Sequence, residues 1–187
     1  MSLEALSGQP FELLVELELR ARAAVAEREG RDGRGDEWVG VGFRLGSERF
    51  VAERSDVREI LPLPDTVVRV PGAKPWLRGI ANIRGQLLTV VDLKAFLDGG
   101  VSVPDRRARV MVAASREVPT GLMVDEVTGF RRFAKRDFSD EAPATNTRCD
   151  DYLEGAYRDG PEAWPRFDLL KLLEDPRFLS AGEATGG

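Results

Sequence analysis

The 187-residue chain contains no histidine and a single cysteine. Without histidine there is no Ser-His-Asp or Cys-His catalytic arrangement, no imidazole metal ligand and no phospho-accepting histidine. One cysteine, Cys149, cannot close an internal disulfide, which fits a reducing compartment. Its polar neighbours favour a place at the surface. No apolar run approaches the roughly 18 residues that a transmembrane helix needs. The start, Met1-Ser2-Leu3-Glu4, has neither the basic region nor the apolar stretch of a secretion signal. No G-x-x-x-x-G-K-[ST] or G-x-G-x-x-G run offers a phosphate cradle. The expectation is a cytoplasmic protein with no cofactor, no metal and no insertion into the membrane.

What is present is a well-charged, core-forming composition. Hydrophobic residues make up 42% and charged residues 32%, enough for one domain or two small subdomains sharing a core. The net charge of −5 argues against nucleic acid, which attracts a basic field. The local cluster Arg131, Arg132, Lys135 and Arg136 is expected to be a solvated turn.

Periodicity divides the chain. Pro10 can open a helix, and Phe11, Leu14, Leu17, Ala21, Ala24 and Val25 recur every three or four residues. This predicts an amphipathic helix over 10–29, whose apolar face must dock on the main domain or on a partner. A glycine-rich charged linker follows over 30–36. From Trp38 the period becomes two. Val39, Val41, Phe43 and Leu45 alternate with Gly40, Gly42 and Arg44, the pattern of a half-buried strand. Gly46-Ser47 is a hairpin turn leading into a strand over 48–52.

Further strands are expected over 57–61, closed by Pro62 and Pro64, and over 67–70, ended by Pro71-Gly72. Strands over 77–83 and 86–91 flank Arg84-Gly85, a tight turn or bulge. Asp92 reads as the N-cap of a short helix over 93–97, stopped by Gly99-Gly100. Strands over 109–114, 120–124, 127–133, 152–157 and 164–167 follow, the last two separated from the others by a polar loop over 137–151. Asp168 caps a final helical turn, and the tail beyond Ser180 reads as disordered. Nine to ten short strands without alternating helices predict a mostly β fold built of small barrels.

Enzymatic chemistry finds little support. Asp125-Glu126 follows a strand, and adjacent strand residues point to opposite faces, so the two carboxylates are not expected to converge. Asp150-Asp151 lies in a loop without calcium-loop spacing. Asp92 ends an apolar strand, as a phospho-accepting aspartate would, but the acidic pair that should follow the first strand is missing. Trp38, Trp76 and Trp164 show no cofactor pattern and are expected in the core or an interface.

One ordered set of residues carries a family resemblance. Val57-Arg58-Glu59-Ile60-Leu61 is followed by Val70-Pro71-Gly72-Ala73-Lys74-Pro75-Trp76-Leu77-Arg78-Gly79-Ile80-Ala81-Asn82-Ile83-Arg84-Gly85. Then come Val90-Val91-Asp92-Leu93, Gly121-Leu122-Met123-Val124-Asp125-Glu126-Val127 and Tyr152-Leu153-Glu154-Gly155. In this order they resemble the motifs of the CheW-like chemotaxis-coupling family. The helix over 10–29 and the segment 38–44 are most similar to the branch serving type IV pilus twitching systems. Two departures stand out: Pro165 and Arg166 interrupt the last strand, and Glu53-Arg54 replaces a common Ile-Pro.

The resemblance implies a fold of two small β-barrel subdomains sharing a core, and a non-enzymatic adaptor coupling a chemoreceptor to a histidine kinase. Its domain would span 38–179, after an N-terminal helix and linker over 1–37 and before a disordered tail over 180–187. It implies contact with the receptor's cytoplasmic hairpin tip at Glu59 and Arg84, the alternative for Arg84 being a structural pair with Glu59. Val57 and Ile60, if exposed and not core, are expected to meet the kinase regulatory domain. A plain oligomerisation module and a carboxylate hydrolase are the rival readings.

Overall fold

The computed structural model describes residues 36–98, 102–114 and 119–181. The helix expected over 10–29, nearly all of its linker, the Gly99-Gly100 stop and residues 182–187 of the tail lie outside them.

Among the described residues eleven strands form two sheets. β1 (Glu37–Leu45), β2 (Glu48–Glu53), β8 (Glu126–Ala134), β9 (Phe138–Ser139), β10 (Leu153–Asp159) and β11 (Glu162–Phe167) make the first, in the order β8-β1-β2-β11-β10-β9. β3 (Val57–Pro62), β4 (Leu77–Ile83), β5 (Gln86–Asp92), β6 (Arg109–Ala113) and β7 (Thr120–Val124) make the second, in the order β3-β6-β7-β5-β4. The described residues also hold three short α-helices, α1 (Leu93–Asp98), α2 (Leu169–Glu174) and α3 (Pro176–Leu179).

The apolar side chains sort into one shared and two private clusters. Val41, Phe43, Leu45, Phe50, Val91, Leu122, Phe167 and Leu172 belong to the large cluster between the sheets. Leu61, Ala81, Leu88, Val90, Val110 and Val112 pack within the second sheet. Trp38, Val51, Phe133, Tyr157 and Trp164 pack within the first.

This arrangement changes the reading of β1. The strand is buried on both faces over most of its length, not on one. Val41, Phe43 and Leu45 face the shared core. The even side holds Trp38, and an added Cβ on Gly40 would occupy the space of that indole. Gly40 therefore makes room for an aromatic and Gly42 for the Thr128 and Arg131 side chains, where polarity patterning alone reads an exposed face.

The hairpin turn falls at Gly46-Ser47, between the paired Leu45 and Glu48. Asp92 caps α1 by accepting from the Ala95 amide at 3.0 Å, and Asp168 caps α2 from Lys171 at 2.9 Å. The 67–70 segment is not a strand but a single bridge between Val68 and Ile80. The two-residue β9 and the four-residue α3 were too short to show a period.

Pro165 and Arg166 do not interrupt the last strand, which runs continuously through them. Pro165 stands opposite Ala156, and the parallel ladder to β2 begins only at Arg166. A proline is tolerated there because it stands outside that ladder. Glu53, the other departure, accepts from the Trp38 indole and from the Arg54 amide at 3.1 Å. Its carboxylate satisfies a polar atom inside the first sheet that an isoleucine would leave unpaired.

Candidate functional site

The second sheet curls enough to bring its two edge regions together. β3 is one edge strand and β4 the other, yet Arg84 at the β4–β5 turn lies 3.6 Å from the Glu59 carboxylate on β3. Between them opens a groove of about 190 Å³ lined by Glu59, Leu61, Ile83, Arg84, Leu87 and Pro119, among others. Its base is the private cluster of this sheet, which contains Leu61, Leu88 and Val112.

Arg84 sits in an unusual backbone conformation. It has φ 52° and Gly85 has φ 84°, between the paired Ile83 and Gln86. Two successive left-handed residues make the two-residue turn that matches strand twist, normally written with asparagine or glycine. The Asn82 carboxamide stabilises it by accepting from the Gly85 amide at 2.9 Å. A long cation is thus held at the tip of a tight turn, 80% exposed, by a backbone that disfavours it.

Glu59 owes its position to a β-bulge. Val57 pairs with Ala113 and Glu59 with Val112, so Arg58 is the extra residue. The bulge shifts the side-chain alternation. Val57 and Ile60, three residues apart, both turn to the shared core, while Glu59 and Leu61 both line the groove. Val57 is only 3% exposed, which corrects the expectation that it forms part of a docking surface. Ile60 is half-buried against the shared core.

The site also includes a residue that motif reading passed over. Leu87 is 64% exposed beside Arg84, on the groove. The signal was present, because Leu87 and Leu88 are adjacent in a strand and must face opposite ways. Leu88 is buried, so Leu87 points out.

The remaining candidates are structural. Asp92 is fully buried. Beyond its cap, it accepts from the Ser102 hydroxyl at 2.7 Å and the Ser102 amide at 3.1 Å, with the Arg78 guanidinium 3.9 Å away. Asp125 and Glu126 do converge, contrary to the expectation. A bend at Asp125 separates β7 from β8, so strand alternation does not apply, and both carboxylates meet Arg44, at 3.7 and 3.2 Å. Asp125 also accepts from the Gly46 amide at 2.6 Å, so the pair is tied into the β1–β2 turn.

Cys149 is fully buried, not exposed, and burial pushes its thiol up to about 11. Arg131 leaves the expected solvated turn, its guanidinium lying 4.6 Å over the Trp164 ring. All three tryptophans are buried. Among the described residues no cluster of acidic or cysteine side chains could hold a metal ion, and no helix is long and apolar enough to cross a membrane.

Residues 39–177 match the CheW-like domain family. The chain is 35% identical to Protein PilI of Pseudomonas aeruginosa over 171 residues, 91% of this chain and 94% of PilI. It is 30% identical to Protein FrzA of Myxococcus xanthus over 137 residues, 72% of this chain and 84% of FrzA. The crystal structure of the scaffolding protein TtCheW from Thermoanaerobacter tengcongensis shares the fold. The TM-score is 0.64 at 23% identity, covering 75% of this chain and 94% of that one. With matching motifs, two sheets around a shared core and relatives aligned over most of its length, the chain belongs to the CheW-like domain family.

Proposed function

We propose that this protein is a non-enzymatic adaptor that couples a chemoreceptor to a histidine kinase, in a chemotaxis or type IV pilus chemosensory pathway. The likeness to PilI and FrzA supports the class of pathway. Residues 38–179 form the coupling domain in this reading, each sheet acting as a small barrel, with 1–37 as a helical extension and linker. The protein works in the cytoplasm.

The receptor's cytoplasmic hairpin tip meets the groove at Glu59 and Arg84, with Leu87 as an apolar contact beside them. The single observation that carries this is Arg84 at φ 52°, 80% exposed. A plain oligomerisation module has no use for a strained, solvent-facing arginine whose ion pair with Glu59 is weakened by water. An arginine there can fork hydrogen bonds to carboxylates or carbonyls on a partner helix. The kinase regulatory domain meets the β3 edge at Ile60, without Val57.

Titration of the purified receptor hairpin and kinase regulatory domain against Arg84→Glu and Ile60→Gln tests both assignments. Arg84→Glu is expected to cost the receptor complex about 2–5 kcal/mol and to leave kinase binding intact. Ile60→Gln is expected to do the reverse. Unchanged receptor affinity in a folded Arg84→Glu protein would remove the groove from the receptor interface.

A further inference from the structure

A second groove, of about 240 Å³, is formed by four separate segments of the chain. Its floor is apolar: Trp76 ahead of β4, Phe96 and Leu97 on α1, and Tyr152 ahead of β10. Ring contacts lock the floor. Trp76 meets Phe96 edge-on at 5.2 Å and stacks on Phe178 at 5.7 Å, and Phe96 lies 6.3 Å from Tyr152. The rim is cationic: Lys74, Arg148 and Arg177.

The three cations differ in what they already hold. Arg177 is occupied by Asp175 at 2.8 Å and Asp151 at 3.3 Å. The Lys74 ammonium and the Arg148 guanidinium have no carboxylate or hydrogen-bond partner among the described residues. Asp98 lies near Arg148 but accepts from its backbone amide, at 3.3 Å. In a chain of net charge −5, two free cations therefore flank a rigid aromatic floor.

We propose that this groove docks an acidic peptide segment of a partner protein, with leucine or aromatic side chains between its carboxylates. The carboxylates would engage Lys74 and Arg148, and the apolar side chains would cover Trp76 and Phe96. Charge complementarity selects an acidic occupant, and the floor selects one with apolar side chains. The chain's own continuation fits worse. It leaves the described part at Ala181, whose carbonyl accepts from the Lys74 amide at 2.8 Å. The residues that follow, 182–187, contain one acid, Glu183, and no large apolar side chain.

Fluorescence anisotropy on the full chain tests the proposal. The probe is a fluorescein-labelled peptide Gly-Glu-Leu-Glu-Glu-Leu-Glu-Gly, with a counterpart carrying lysine for each glutamate. Saturable binding of the glutamate peptide is expected at low ionic strength, weakening at about 0.5 M salt as screening shortens the reach of each charge. Lys74→Glu with Arg148→Glu should weaken it about tenfold or more. Lys74→Gln with Arg148→Gln should weaken it in the same direction and serves if the reversals disturb folding. Arg158→Glu, outside the groove, should leave it unchanged. No saturable binding up to about 1 mM peptide, equal binding of the lysine peptide, or full affinity in a folded glutamine variant would overturn the proposal. So would a tenfold gain on removing residues 182–187, which would make the chain's own tail the occupant.

Discussion

Replacing Arg84 by asparagine should raise stability while weakening the receptor complex. The strain comes from the backbone: a non-glycine residue at φ 52° sits in the left-handed region, which costs about 1–2 kcal/mol. Asparagine is one of the residues that tolerates this region and is favoured in such turns. Against that relief stands the loss of the Glu59 ion pair, at 3.6 Å with the arginine side chain 80% exposed. An exposed pair of that length contributes no more than about 0.5 kcal/mol. The balance is a gain of about 0.5–1.5 kcal/mol, or a rise of about 1–6 °C in melting temperature for a domain of this size. Thermal and urea denaturation of the two proteins measure it, and calorimetric titration of the receptor hairpin measures the functional cost. A melting temperature that falls instead would show that the Glu59 pair outweighs the strain and that Arg84 is a structural residue. Unchanged receptor affinity in the stabilised variant would leave the strained arginine without the role given to it.

Three other expectations follow from buried or strained positions. Gly79 has φ 137° and its missing Cβ would sit on the Val68 carbonyl, so Gly79→Ala should break the Val68–Ile80 bridge and cost about 2 kcal/mol or more in urea denaturation. A near-neutral result would mean that the 63–76 segment is not held by that bridge. The Arg177 guanidinium and the Tyr152 hydroxyl hold the Asp175 carboxyl well below the usual carboxylate range. Its folded-state pKa is depressed, so its stabilisation is complete above about pH 4 and is lost as pH falls below that. The destabilisation caused by Asp175→Asn should therefore be larger at pH 7 than at pH 3, and a pH-independent difference would contradict the assignment. Cys149 is fully buried with its thiol pushed up to about 11, so a thiol reagent at pH 8 should modify it only as fast as the domain opens. Rapid modification of the native protein would place it at the surface.

The adaptor reading rests on a division of labour that the two sheets make visible. What the surface offers is docking geometry: a groove between strand ends and a second, cation-rimmed groove between helices. Both depend on residues brought together from distant parts of the chain. Glu59 and Arg84 come from opposite edges of one sheet, and Lys74, Phe96, Arg148 and Arg177 come from four segments.

Local patterning determined most of the element list. Period-two alternation placed β1, short runs between turn residues placed β2 to β7, glycine placed the turns at Gly46 and Gly85, and carboxylates placed the caps at Asp92 and Asp168. These are signals within a few residues, where backbone sterics and hydrogen bonding act directly. The motif order from Val57 to Gly155 was enough for the family. Tertiary structure decided which faces those elements bury. The bulge in β3 turned Val57 inward and Glu59 toward the groove, because one extra residue reverses side-chain alternation and no local signal marks it. The bend at Asp125 let two adjacent carboxylates share Arg44, where strand geometry forbids it. Cys149, among polar neighbours in sequence, was buried because residues far from it in the chain close over it. Burial and convergence are properties of long-range packing, and a single sequence records them only after the sheets have closed.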